Sequence, residues 1–299
     1  MDFYKVSSVE EVKDTINSNF SLILEKELID LKECNDRILY EDIASPLNIP
    51  GFKRSIVDGY AVKWKDVQGA SESIPSMLDL KGEVTMGKMP SKALEFPGEC
   101  MYIPTGGMLP QGADSVVMIE YTDKMDDTTI LVNKPVSFGE NVLDEDEDVE
   151  LGETVLKAGT LLKPYSISML SSLGIIKVPV VCKPKVGIIS TGDEIVSPEE
   201  YPKPGQIRDI NSYLLYSSVI EDGGEPIFYG VIKDDYDKLL ETAKKALQEC
   251  DIVLISGGSS VGKKDQTAKI IDVLGEPGIL LHGISIKPGK PTIVGKVKN

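Results

Sequence analysis

From Lys185 onward the sequence alternates short apolar runs with amphipathic stretches, and this rhythm restricts the possible folds more than any other feature. Val186–Ile189, Ile227–Ile232 and Ile252–Ile255 are apolar runs of strand length. Between them, Ser212–Glu221, Tyr236–Glu249 and Gln266–Leu274 read as helices. In the second helix Leu239, Leu240, Ala243, Ala246 and Leu247 fall on one face, and Gly223-Gly224 closes the first. A further strand is expected over Ile279–Ile286. Strands apolar on both faces and separated by helices build a doubly wound parallel sheet.

The chain before this point has a different texture. The first forty residues read as helical, with Ser7-Ser8 ahead of Glu10 and Glu11 as the N-terminal cap and Val9, Val12 and Ile16 at helical spacing. Pro46 and Pro50 mark a change to short β-rich pieces, among them Ser55–Val62, Cys100–Pro104 and Ser115–Tyr121, separated by Gly/Pro turns. Residues 123–150 are acidic, with Asp144-Glu145-Asp146-Glu147-Asp148 at their centre, and read as a solvated loop or edge. Pro164–Leu173 reads as a helix that stops at Gly174. The expected class is multidomain α/β plus β. A doubly wound α/β domain (178–299) is preceded by a small β-rich domain (44–138) and a linking helical region (1–43 and 139–177).

Composition excludes several functions. A chain of 299 residues is expected to hold about two domains. Its 32 basic against 48 acidic residues leave a net charge of −16, which repels phosphate backbones and anionic membrane surfaces. No nucleic-acid or membrane partner is expected. No secretory h-region and no 18-residue apolar run is present, so the expected location is cytoplasmic. Cys34, Cys100, Cys182 and Cys250 are widely spaced, without a C-x-x-C pair, and read as reduced and structural. His282 is the only histidine, which removes His-based triads and His-rich metal sites.

Ligands of open α/β sheets bind beyond the carboxyl ends of the strands. Two such ends are glycine-bearing: Ser190-Thr191-Gly192-Asp193-Glu194 and Ser256-Gly257-Gly258-Ser259-Ser260-Val261-Gly262. Together they read as an anion-binding rim. Gly257 to Lys263 approaches a P-loop, but Lys264 stands where Ser or Thr holds magnesium, which argues against an NTPase. Glu194, Asp234 and Asp265 each follow a strand. Asp234 and Asp265 read either as helix caps or, with Glu194, as ligands of a hard divalent cation, Mg²⁺, bridging acids and phosphates. Lys287-Pro288-Gly289-Lys290-Pro291 sets two cations on a stiff segment suited to an oxyanion or phosphate. Arg208 precedes a helix for which Asn211 is the expected cap. Asp58 lies in an Asp-Gly pair, a common hairpin turn.

Pro50–Val62, Ile103–Glu120, Gly187–Glu194, Pro204–Tyr213, Ser256–Asp265 and Lys287–Pro291, in this order, resemble the molybdopterin molybdenumtransferase family, which includes the E domain of gephyrin. The resemblance implies transfer of molybdenum from molybdate to adenylylated molybdopterin, with release of AMP and dependence on Mg²⁺. It implies a molybdopterin-binding role for the α/β domain. By position it implies catalytic roles for Asp58, Thr105, Glu194, Asp234 and Asp265, the last three also as Mg²⁺ ligands. It implies cleft positions for Lys287 and Lys290 as well, and Ser190, Thr191, Gly192, Arg208, Ser256, Gly257, Gly258 and Ser259 are the further substrate contacts expected. A homodimer with the active site between subunits is implied, the linking region then serving dimerisation, and a molybdopterin adenylyltransferase as a partner. Family members continue beyond the point matching Asn299 into the rest of the α/β domain and a C-terminal β domain. A noncatalytic scaffold on the same fold is the alternative function.

Overall fold

The computed structural model describes residues 6–21, 24–257 and 266–297. In chain order, α1 (Val9–Asn19) precedes β1 (Lys26–Asp30), β2 (Ile43–Ala44), β3 (Arg54–Ser55), β4 (Gly59–Val62) and β5 (Ser76–Glu83). Then come β6 (Glu99–Ile103), β7 (Ser115–Met118), β8 (Thr122–Lys124), β9 (Thr129–Val132), β10 (Val142–Leu143) and β11 (Thr154–Leu156). The remainder is α2 (Pro164–Ser172), β12 (Lys177–Val181), β13 (Lys185–Thr191), β14 (Ile195–Val196), β15 (Ile207–Arg208) and α3 (Asn211–Glu221). It closes with β16 (Glu225–Ile232), α4 (Tyr236–Glu249), β17 (Ile252–Ser256), α5 (Gln266–Leu274), β18 (Pro277–His282) and β19 (Ile293–Val297). The chain divides into two compact units, one of residues 1–29, 34–40 and 179–299, the other of residues 30–33 and 41–178.

Ser8 caps α1 as expected, in a capping box: its hydroxyl accepts from Glu11 N–H while Glu11 accepts from Ser8 N–H. The helical reading of the first forty residues nevertheless holds only to Asn19. Phe20 is extended, and Glu25 and Leu31 then bond to Cys182 and Ile176. Pairing with residues about 150 positions away decides this segment, beyond the reach of local spacing.

In the β-rich unit a six-stranded sheet runs in the order β7-β4-β6-β5-β9-β8, with β5 and β6 parallel and the other pairs antiparallel. Both faces are buried. Ala61, Met101, Ile103 and Val116 pack in one cluster, while their neighbours Val62, Cys100 and Val117 pack in another. This is why the strands read as unbroken apolar runs. Two expectations are corrected. Ser55–Val62 is two short strands, β3 pairing with β10 and β4 with β6 and β7, so Asp58-Gly59 does not turn one hairpin. Residues 123–150 are only partly a loop, because β8 and β9 complete the sheet. Asp144–Asp148 is exposed as expected, with Lys53 2.6 Å from Asp144 and Arg54 3.9 Å from Asp148.

The other unit is the doubly wound α/β domain. Its parallel sheet has the order β16-β13-β17. Alternate residues of β13 and β17 face opposite ways. Val186, Ile188 and Leu254 pack with Val219 and Leu215 of α3, whereas Ile189, Val253 and Ile255 pack with Leu239, Ala243, Ala246 and Ile270 of α4 and α5. The expected strand Ile279–Ile286 is shorter and differs in kind. β18 pairs antiparallel with β19 in a separate two-stranded ribbon. Gly283–Ser285 instead bonds to Ser7 near the N-terminus.

Candidate functional site

Three strand ends form one edge of the α/β unit. Thr191 at the end of β13 stands opposite Ile232 of β16, and Ser190 stands opposite Ser256 of β17. Gly257 follows β17 with φ +107°, and a Cβ there would lie 2.1 Å from the Thr191 carbonyl oxygen. Only glycine lets the two exits pass this closely. The Thr191 hydroxyl lies 3.5 Å from Asp234 Oδ1, and Asp234 N–H donates to Asp193 Oδ1 at 3.1 Å. Lys233 Nζ donates to the carbonyls of Asp193 and Ile195 at 3.0 and 2.9 Å. The turn after β13 is thus tied to the turn after β16. The Glu194 carboxylate folds back over Gly192, where an added Cβ would come 2.9 Å from Oε2.

The structure therefore brings Ser190, Thr191, Gly192, Glu194, Asp234, Ser256 and Gly257 to one edge. Asp234 is not the cap of α4. Asp235 takes that place and accepts from Lys238 N–H, which leaves the Asp234 carboxylate at the strand ends. Asn211 is likewise the first residue of α3 rather than its cap, and Asp209 accepts from Ser212 N–H at 3.1 Å instead. Arg208 lies on β15 beside β14, its Nε donating to the carbonyls of Pro198 and Glu200 at 3.0 and 3.2 Å. Gly258, Ser259 and Asp265, with the P-loop-like Lys263 and Lys264, lie outside the described residues.

Lys287 and Lys290 follow β18 and line a hollow of about 390 Å³ with Val6, Ser285 and Ile286. Both are exposed, and neither joins an ion pair among the described residues. Their ammonium groups remain available to an anion. His282 lies half-buried on β18. All four cysteines are free thiols.

In the β-rich unit, Asp58 Oδ1 accepts from both the backbone N–H (2.7 Å) and the hydroxyl (3.0 Å) of Thr105. These donors hold the Asp58 carboxyl below its ordinary range. Gly59, next in sequence, has no room for a Cβ, which would lie 1.9 Å from the Val117 carbonyl oxygen. β4 is thereby seated tightly on β7, and Asp58 is carried on a rigid strand start.

Among the described residues no group of three His, Cys, Asp or Glu side chains is placed to hold a metal ion. The donors present at the edge, Glu194 and Asp234, are hard carboxylate oxygens. Magnesium is bound through one or two such groups plus phosphate oxygens, so this pair suits it. Sequence reasoning missed Asp209 and Ser285 as parts of these surroundings, took Asp193 only as one member of the anion-binding rim and read Asn211 as a cap. Nothing in their local sequence distinguishes them from ordinary turn residues.

The chain matches two family descriptions, "MoeA N-terminal region (domain I and II)" over residues 7–174 and "Probable molybdopterin binding domain" over residues 187–299. It is 36% identical to the molybdopterin molybdenumtransferase of Nostoc over 289 residues, covering 95% of this chain and 66% of that one. It is 34% identical to the molybdopterin molybdenumtransferase of Bacillus subtilis over 273 residues, covering 91% and 63%. The crystal structure of the molybdopterin biosynthesis MoeA protein from Pyrococcus horikosii superposes with a TM-score of 0.86 at 42% identity, covering 98% of this chain and 73% of that one. Fold and site thus define a β-rich unit joined to an α/β domain of the molybdopterin-binding type. The chain belongs to the MoeA family. It spans slightly less than two thirds of the length of these two curated relatives.

Proposed function

We propose that this chain carries out molybdenum insertion in molybdenum-cofactor biosynthesis, taking molybdate and adenylylated molybdopterin and releasing AMP. The observation that carries the reading is the carboxyl edge of the α/β sheet, where Gly257 and Thr191 meet beside Asp234 and Glu194. Backbone N–H groups of the two glycine-bearing exits suit phosphate, and Ser256 adds a hydroxyl, whereas Ser190 and Thr191 are buried and line the edge from beneath. Lys287 and Lys290 supply charge for an oxyanion on a molecule that is otherwise acidic.

Glu194 and Asp234, with Asp265, are the residues that would hold Mg²⁺. Bound there, the ion supplies Lewis acidity and neutralises phosphate charge. Asp58, kept ionised by Thr105, is assigned to the same reaction. The family resemblance supports a homodimer whose subunits share the active site, and a molybdopterin adenylyltransferase as supplier of substrate. No described helix is long and apolar enough to cross a membrane, which accords with a cytoplasmic enzyme.

The test is to add adenylylated molybdopterin, molybdate and Mg²⁺ and to follow AMP. Release that depends on molybdate supports the reading. Binding of adenylylated molybdopterin without any AMP release would favour a noncatalytic role.

A further inference from the structure

The α3 face of the sheet changes character at its carboxyl end. Val186, Ile188 and Leu254 pack on Val219 and Leu215, but the next residues on that face are Ser190 and Ser256, opposite each other across β13 and β17. Above them lies the start of α3. Asn211 Nδ2 donates to Ser256 Oγ at 3.0 Å, one residue before Gly257 and the glycine-rich loop. Asp209 holds this helix start from below. It accepts from Ser212 N–H through Oδ1, and its own N–H donates to Val196 O at 2.9 Å.

This junction is polar although it is buried. Ser190, Asp209 and Ser212 are 0%, 4% and 1% exposed. Ser190 Oγ, Ser212 Oγ and Asp209 Oδ2 have no hydrogen-bond partner among the described residues. Apolar side chains would pack here at lower cost if the junction served stability alone. Of these groups Asp209 Oδ1 holds the start of α3 through Ser212 N–H, and from that start Asn211 reaches Ser256.

We propose that Asn211 is a positioning residue, held by Asp209, that fixes Ser256 and thereby sets where the glycine-rich loop leaves the sheet. The assignment deepens the proposed function, on which it rests for its ligand. Asn211 does not itself touch substrate. Its hydrogen bond holds the Ser256 hydroxyl in one orientation, and so fixes the exit that Gly257 takes past Thr191. Asp209 acts one step further back, through the helix start.

The experiment uses the whole chain and two readouts, hydrogen exchange without ligand and binding of adenylylated molybdopterin. Asn211 is exposed at the first position of α3, so Asn211→Ala leaves the fold intact. In the absence of ligand this variant is expected to exchange the peptide covering Ser256–Gly257 at least about threefold faster, with an unchanged midpoint of unfolding. It is expected to bind adenylylated molybdopterin about five- to tenfold more weakly, in line with loss of one hydrogen bond. Ser256→Ala is expected to speed exchange likewise and to weaken binding at least as much, and the double variant to be no worse than Ser256→Ala alone. Asp209→Ala is expected to reproduce the faster exchange, and Asp209→Asn, which keeps the cap acceptor, to restore the parent rate. Parent-like exchange and binding in Asn211→Ala, or losses that multiply in the double variant, overturn the proposal. If the parent chain binds no adenylylated molybdopterin, the proposed function fails, while the exchange data still decide the role of Asn211.

Discussion

Asp58 and Thr105 meet through one carboxylate oxygen: Asp58 Oδ1 takes the Thr105 N–H at 2.7 Å and its hydroxyl at 3.0 Å. The two residues come from different strand ends 47 positions apart, and their contact keeps the Asp58 carboxyl ionised below the usual value of 3.8. The Asp58 residue itself is exposed.

Removing one of these donors moves the titration in a known direction. Thr105→Val keeps the backbone bond and loses the hydroxyl, so the Asp58 pKa is expected to rise toward 3.8 without reaching it. Because the folded pKa is depressed, the contact contributes stability above the unfolded value and loses it as pH falls through the folded one. A carboxyl-carbon NMR titration of parent and variant measures the shift. Identical curves refute the hydroxyl's contribution.

Gly59→Ala tests how tightly that aspartate is seated. Its Cβ would sit 1.9 Å from the Val117 carbonyl oxygen, against backbone that cannot give way cheaply. The expected loss is about 3 kcal/mol, read from urea unfolding, with the β-rich unit reporting it. A variant as stable as the parent would mean that β4 and β7 can separate.

Glu194→Ala and Asp265→Ala are expected to slow molybdate-dependent AMP release by at least about a hundredfold, roughly 2.7 kcal/mol in activation free energy. Their unfolding midpoints should move by only a few degrees. Glu194 belongs to neither apolar cluster of the α/β unit. Near-parent rates in both would leave these acids as turn residues.

Lys290→Met is expected to weaken binding of adenylylated molybdopterin by about 10- to 150-fold, the value of a charge-assisted contact of roughly 1.5–3 kcal/mol. Equilibrium titration at fixed salt reads the change. Unaltered affinity would return Lys290 to an ordinary exposed turn.

Cys100 offers a check on the β-rich core. Burial pushes its thiol up to about 12 from 9.0, so the native chain keeps it neutral. Its contribution to stability is present below about 9 and lost as pH rises from there toward 12. Alkylation at pH 8 should therefore spare Cys100 until the unit unfolds, as peptide mass mapping would reveal.

The sequence alone determined the α/β unit in considerable detail. Strand-length apolar runs and a long amphipathic helix are local patterns, and α4, Tyr236–Glu249, was legible to the residue. The cap of α1 was legible to within a residue, as Ser7-Ser8 ahead of Glu10 and Glu11, because its partners Ser8 and Glu11 lie three positions apart. The glycine-bearing strand ends could be read because their positions follow from the same rhythm. What local pattern could not supply was pairing over distance. β1 is a strand because chain about 150 residues away pairs with this segment, and β18 turns to β19 instead of joining the parallel sheet. Asp58 reads as half of a turn until the tertiary fold delivers Thr105 to it. Asp234 reads as a cap until Asp235 is seen to do that work and free it for the strand edge. Asn211 reads only as a helix cap until α3 is laid across Ser256. Periodicity is written in neighbours along the chain, whereas a site is assembled from neighbours in space, and only packing decides which residues those are.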